Sequence, residues 1–331
     1  MKARTLKALV RGLAVVVVTW CLAMALFSAL PGDAARTLAG PQATQADLAR
    51  VRERLALDAP LWTRLAARAR TTLHRPSVNA GDGTHADCTD LVVVHVDLGR
   101  SYVYRRPVAE LVAKRLPASL GLAIVTACVT LAMGAALGFV AASGRRSNVT
   151  ASARVVSALP AYAVGLALHE LFARRLGWLP IESSLTTAPL ASRSAVLPVV
   201  TLTLAMLGPY VALARDRWRA IAREPFVLAA VARGMSSRSA LWRHGRRQVF
   251  GELLALACID AGALVGGSVL TERLFRWPGL GSLAIEALLG RDVPTLGGVV
   301  LVGAAAVALA STVGEWGRAA TDPRLDDGSR T

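Results

Sequence analysis

Lysine is almost missing from this chain: of its 38 basic residues only Lys2, Lys7 and Lys114 are lysines. No Gly-Lys pair occurs anywhere, so the G-x-x-x-x-G-K-[ST] loop is excluded and the chain cannot itself cradle ATP as a phosphate-loop protein does. H-E-x-x-H and G-x-S-x-G are also missing, and His169-Glu170 has no second histidine at the required helical spacing. The four cysteines form no C-x-x-C pair, which removes support for a zinc knuckle or a thioredoxin motif. These absences argue against an enzyme with its own catalytic centre.

What is present is apolar. The chain has 331 residues, 54% of them hydrophobic, with 5% aromatics and a mean hydropathy of +0.46, a balance that fits a polytopic membrane protein. A net charge of +16 would suggest nucleic acid in a soluble protein. Here the positive charge sits in loops between apolar runs, so membrane lipid and topology account for it and no nucleic-acid partner is expected.

Apolar runs predict six spans, at about 12–30, 118–142, 155–172 (kinked at Pro160), 195–214, 250–271 and 296–314. Cys21, Cys128 and Cys258 fall inside them and Cys88 lies in a loop. The basic start followed by an apolar run also reads as a signal peptide, but Val10–Leu30 is long enough to span. The chain thus divides into 1–30 (tail and first span), a long external segment 31–117, a core 118–317 and a tail 318–331. The positive-inside rule places both termini in the cytoplasm.

In the external segment, Thr44-x-x-Asp47 reads as a capping box opening a helix to about Leu57, and Pro60 to Leu73 can form another. Asp82, His85, Asp87, Cys88, Asp90, His95 and Asp97 could ligate a metal, but lack a ligand spacing; loop plus a short strand over Leu91–Val96 is the preferred reading, and no metal is expected. His169 and Glu170 sit near the outer end of the third span, where snorkelling or pairing with Arg174 or Arg175 is expected. Asp260 lies near the middle of the fifth span, where a carboxylate costs about 2.5–3.5 kcal/mol on insertion scales and should face a wet cavity or a partner. Gly262, Gly266 and Gly267 are small enough for close helix packing.

The most informative stretch is the loop 215–249, with nine arginines against Asp216 and Glu224. Glu224-Pro225 can open a helix, Phe226 to Arg233 is helix-compatible, Gly234 breaks it, Ser236 and Ser237 offer N-caps, and Ala240 to Val249 restarts. A short helix, a glycine turn and a second helix pinned at the inner membrane surface suggest docking.

Ala229-Ala230-x-Ala232-Arg233-Gly234, with Leu241, Arg243, His244 and Arg247 following, resembles the cytoplasmic EAA loop of binding-protein-dependent ABC importer permeases, nearest the dipeptide/oligopeptide/nickel group. Leu228 stands where the broad motif has Glu, and Glu252 where the family usually has Pro. Asp97-Leu98-Gly99-Arg100-Ser101, Arg106-Pro107-Val108, Leu176-Gly177-Trp178-Leu179-Pro180, Thr271-Glu272-x-x-Phe275-x-Trp277-Pro278-Gly279-Leu280-Gly281, Arg291-Asp292 and Asp322-Pro323-Arg324 extend the likeness over nearly the whole chain, excepting Ser77 to about Val96.

The resemblance implies an all-α membrane protein with six transmembrane helices of the ABC importer permease type and a long external segment between helices 1 and 2. It implies a bacterial inner membrane, a second permease subunit, two ABC ATPases holding ATP and magnesium, an external solute-binding protein, and no cofactor in this chain. Ala229, Ala230, Ala232, Arg233, Gly234, Arg243 and His244 would meet the ATPase. Asp260, Gly266 and Gly267 would line the path. Phe275, Trp277, Pro278, Gly279 and Gly281 would form an external re-entrant segment facing the binding protein. The expected cargo is di- or oligopeptide, with nickel, glutathione or another small solute as the rival. From other classes, an ion-coupled carrier using Asp260 as a proton relay, an intramembrane enzyme and a non-transporting scaffold stay open.

Overall fold

The computed structural model describes residues 2–29, 44–54, 63, 73–74, 89–91, 94–96, 98–143, 148–180 and 193–321. In chain order the helices are α1 (Lys2–Ala29), α2 (Gln45–Arg54), α3 (Val108–Ser143), α4 (Asn148–Ala158), α5 (Ala161–Leu168) and α6 (Val196–Ala222). They continue with α7 (Pro225–Ala232), α8 (Ser237–Gly267), α9 (Val269–Leu274), α10 (Leu280–Leu289) and α11 (Val293–Thr321). A π-helical turn, His169–Arg175, continues α5, and a 3₁₀ turn, Arg193–Ala195, leads into α6.

Helices α3, α6, α8 and α11 are each long and apolar enough to cross a membrane; α4 with α5 and its π turn make a fifth candidate as a bent pair. That pair turns by 92° at Leu159-Pro160, where the ring of Pro160 cannot continue the helix. The expected kink is therefore a corner. Helix α1 contributes the apolar stretch Val10–Ala23 and joins α11 through an Arg11–Glu315 ion pair, an arrangement consistent with six spans.

The helices overrun the apolar windows that announced them. Helix α3 starts ten residues before its expected span, carrying Pro117 inside, and α6 continues to Ala222. The second helix of the arginine-rich loop is not separate either: from Ser237 it runs without a break through Glu252 to Gly267 as the fifth span. Glu252 has an N–H and extends the ladder where Pro would interrupt it, and its carboxylate pairs with Arg217 of α6.

The long segment between α1 and α3 holds the only β-strands among the described residues. Strands β1 (Leu73–His74), β2 (Thr89–Leu91) and β3 (Val94–Val96) form an antiparallel sheet in the order β1-β3-β2. The single strand expected over Leu91–Val96 is thus two, with Leu91 paired to Val94. The helix expected from Thr44 is α2, described over Gln45–Arg54. Most of the helix expected over Pro60 to Leu73 lies outside the described residues, and Leu73 itself is in β1. Asp82, His85, Asp87, Cys88, Asp97 and Asp322-Pro323-Arg324 also lie outside them; among the described residues no group of His, Cys, Asp and Glu could hold a metal.

Small residues set the helix spacing, as expected where lipid gives helices little hydrophobic reason to associate. A Cβ on Gly134 would stand 2.5 Å from that of Tyr210, and one on Gly138 would collide with Ala214, so α3 and α6 touch nearly backbone to backbone. Gly262 and Gly314 give α8 and α11 the same close approach, a Cβ on Gly262 falling 2.7 Å from that of Ala310. Two buried clusters result. One gathers Val108, Leu122, Leu264, Val265, Trp277, Leu280, Leu283 and Val299; the other gathers Tyr210, Trp218, Ile221, Val227, Leu241, Val249 and Leu253 around the arginine-rich loop.

Candidate functional site: a hairpin at one end and a clamp at the other

The arginine-rich loop folds as a helical hairpin. Glu224 is extended (φ −69°, ψ 139°) and Pro225 opens α7 at a position that needs no N–H. The exit is a Schellman turn: Met235 N–H donates to Ala230 C=O (3.2 Å), Gly234 N–H donates to Val231 C=O (2.9 Å), and Gly234 sits at φ +95°. Ser236 then caps α8 by accepting from Ser239 N–H at 3.3 Å. Between the arms lies an open depression of about 460 Å³ lined by Ala230, Arg233, Gly234, Met235, Arg243 and His244.

Of the residues expected to meet a partner, Ala229, Ala232, Arg233, Gly234, Arg243 and His244 are exposed. Ala230 is not: at 2% exposure it packs inward beside Val227, and its small side chain serves the hairpin's own core. Leu228, where the broad motif has Glu, is exposed. Beneath the arms, Trp218 stacks on Trp242 (5.8 Å, 20°) and meets Phe139 edge-on at 5.1 Å, a platform the sequence reading did not identify.

At the opposite end of the spans, Thr271 to Gly281 folds as a clamp around one carboxylate. Glu272 is fully buried and accepts from the Ser119 hydroxyl of α3 (2.7 Å), the Ser268 hydroxyl (2.9 Å) and Ser282 N–H in the first turn of α10 (2.9 Å). The carboxyl therefore caps the start of α10, where unpaired backbone N–H groups need an acceptor. A Cβ on Gly279 would land on that carboxylate and one on Gly281 would come within 2.9 Å of it, which accounts for both glycines. Trp277 is locked from each side, its indole N–H donating to Ala118 C=O (3.0 Å) and its backbone N–H to Glu272 C=O (2.8 Å).

A second knot joins Gly99–Ser101 to Arg291-Asp292. Buried Asp292 precedes α11 and accepts from Thr295 Oγ1 (2.7 Å), Tyr102 N–H (3.1 Å) and the Ser101 hydroxyl. Two motifs 191 residues apart are thus halves of one contact.

A family model described as binding-protein-dependent transport system inner membrane component matches residues 129–327, and its N-terminal companion matches residues 1–123. The chain belongs to this family. It is similar to a putative peptide transport system permease protein of Brucella abortus, 29% identical over 308 residues and 91% of each chain. It is also similar to the glutathione transport system permease protein GsiC of Salmonella paratyphi A and of Escherichia coli, 32% identical over 82% of each chain. The protein is accordingly an inner-membrane permease subunit of an ABC importer of the dipeptide/oligopeptide type.

The clamp of this permease corrects one expectation. Phe275, Trp277, Gly279 and Gly281 are buried, and Pro278 is half-buried, so these side chains are not what the segment offers a partner; Arg273 and Arg276 are its exposed charges. Near mid-span, Asp260 accepts from the Tyr210 hydroxyl of α6 at 2.8 Å and is half-buried. Gly267 stands in open space, whereas Gly266 lies against Gly303 of α11. Glu170 pairs with Arg174 (3.1 Å) and Arg175 (3.4 Å) as expected. The roles of Glu272, Ser119, Ser268 and Ser101 were not identified from the sequence. The legible signal was an acid in an otherwise apolar run, and, for Asp292, an Asp-x-x-Thr pattern at a helix start.

Arg276 and Arg291 occupy the αL position of two further Schellman turns, at φ 48° and 51°. Arg276→Gly is expected to raise the thermal midpoint of the purified complex. The αL penalty removed is about 1–2 kcal/mol, against about 0.5–1 kcal/mol of added chain entropy. A lowered midpoint would mean that the arginine side chain contributes more than its backbone costs.

Tyr104 donates to Glu286 at 2.6 Å, and burial together with that carboxylate pushes its phenol up to about 12. A group whose folded pKa is raised contributes stability below its ordinary value near 10, and that contribution is lost as pH rises through about 12. Tyr104→Phe is therefore expected to flatten the alkaline limb of a stability-versus-pH curve above about 10. An unchanged limb would remove the Tyr104–Glu286 bond from the account.

Proposed function

We propose that this permease passes short peptides, delivered by an external solute-binding protein, through a path it forms with a second permease subunit. Two partner ATPases hold ATP and magnesium, and this chain holds no cofactor of its own. The observation that carries the reading is the hairpin: exposed Arg233, Gly234, Arg243 and His244 line an open depression, Ala229 and Ala232 are exposed on the same arm as Arg233, and the second arm continues directly into a span. Nucleotide-driven closure of the ATPases would pull on that arm and bias the spans between two states, each stabilised by its own ligand. On this reading the hairpin and both termini are cytoplasmic, and the clamp faces outward in the region 31–117 and 271–295.

Asp260 is the proposed polar point on the path, held by Tyr210 and followed about two turns later by Gly267. Arg273 and Arg276 are the proposed contacts to the binding protein. Glutathione is a second reading, because relatives named for its transport cover 82% of the chain.

The test is uptake into proteoliposomes containing the whole complex with its binding protein. Uptake of labelled di- and oligopeptides that requires ATP supports peptide import; ATP-dependent uptake of glutathione alone selects the second reading. Uptake driven by a proton gradient without ATP, and lost in Asp260→Asn, would sink the importer reading in favour of an ion-coupled carrier.

A further inference from the structure

Helix α6 contains a joint where a side chain from another helix enters its backbone ladder. The Ser157 hydroxyl of α4 accepts from Gly208 N–H at 2.7 Å and donates to Leu204 C=O at 3.0 Å. Those two groups are the donor and acceptor of one i→i−4 rung of α6. The next residue is Pro209, which has no N–H for the following rung. Inserted side chains and prolines are the recognised causes of bends in long helices, and here both fall in one turn.

The surroundings are arranged around that turn. A Cβ on Gly208 would stand 2.9 Å from the Ser157 oxygen and 3.1 Å from Ala153 C=O, so only glycine admits the hydroxyl. Beside it, Arg154, Ser157, Ala158, Gly208, Pro209 and Ala212 line an open, largely apolar groove of about 270 Å³ between the two helices. Tyr210, one residue beyond the proline, reaches across to Asp260 of α8, the helix that begins at the hairpin. On its other side α4 ends in the 92° corner at Leu159-Pro160.

We propose that Ser157 is a positioning residue of the transport cycle: it holds α6 open at Leu204–Gly208 in one state, and releases it to close its own rung in the other. This rests on the importer reading above. The exchange leaves no buried backbone group unpaired, since Gly208 N–H can pass from the Ser157 hydroxyl to Leu204 C=O, so the two arrangements can lie close in free energy. Movement of α8 would reach the joint through Asp260 and Tyr210.

Ser157→Ala tests this, because removing the hydroxyl lets α6 close its rung and should not unfold the chain. The readouts, in proteoliposomes of the whole complex, are peptide uptake, ATP hydrolysis and the thermal midpoint. The expected result is a fall of about fivefold or more in peptide transported per ATP hydrolysed, a size typical of coupling residues. ATP hydrolysis and the midpoint are expected to persist, and Ser157→Thr, which keeps the hydroxyl, to restore the ratio. An unchanged ratio in Ser157→Ala overturns the proposal while leaving the importer reading standing. Uptake, hydrolysis and midpoint falling together, without rescue by Ser157→Thr, also overturns it, since that is the signature of a packing role. Absence of ATP-driven uptake by the unaltered complex overturns both readings at once.

Discussion

Glu272→Ala is expected to give the largest loss of stability of any single truncation at the clamp. The substitution removes a fully buried acceptor and strands Ser282 N–H and the Ser119 hydroxyl, while the Ser268 hydroxyl can donate to Leu264 C=O instead. Each of the two stranded buried donors costs about 1–3 kcal/mol, for a total of roughly 2 kcal/mol or more. The measurement is the thermal midpoint and yield of the purified complex. Glu272→Gln should fall between, because the amide keeps one oxygen but turns an N–H toward donors that need an acceptor. Gly279→Ala should resemble Glu272→Ala, since its Cβ would displace the same carboxylate. A midpoint unchanged by Glu272→Ala would mean that the Ser119 and Trp277 contacts hold α10 in place without it.

The clamp also shows where sequence reasoning stopped. The motif from Thr271 to Gly281 was legible as a unit, and the family resemblance implied an external re-entrant segment there. That Phe275 and Trp277 face inward was not legible, because their partners lie elsewhere in the chain: Trp277 bonds Ala118, 159 residues away. Spans were placed by apolar windows, which report what lipid tolerates. Helix ends are set by capping and backbone pairing instead, so α3 and α6 overran their windows. Within the hairpin, Gly234 and Ser236 were read correctly because a Schellman turn and an N-cap are local. The inward face of Ala230 depends on α6 and α8 closing over it, which no local pattern encodes.

Gly245→Val is expected to have the largest effect on coupling, because it acts where the hairpin's second arm crosses α6. A Cβ at Gly245 would stand 2.7 Å from the Trp218 ring and 3.1 Å from Ile221. Neither can yield easily: Trp218 is fully buried between Phe139 and Trp242, and Ile221 belongs to the same cluster. Overpacking of this kind costs about 1–3 kcal/mol, and valine adds two methyls to the clash. The strain can be relieved by tilting α8 away from α6, which carries Arg243 and His244 with it and widens the depression between the arms. Association with the ATPase subunits is therefore expected to weaken by about tenfold for each 1.4 kcal/mol of strain relieved in this way, read by pull-down at graded ATPase concentration. Trp218→Leu in the same chain supplies space for the new methyls and should recover much of the loss, a coupling visible only if the two residues are in contact. If Gly245→Val binds ATPase normally, or if Trp218→Leu adds its own loss without recovery, then the spacing of α6 and α8 at this crossing is not what positions the hairpin.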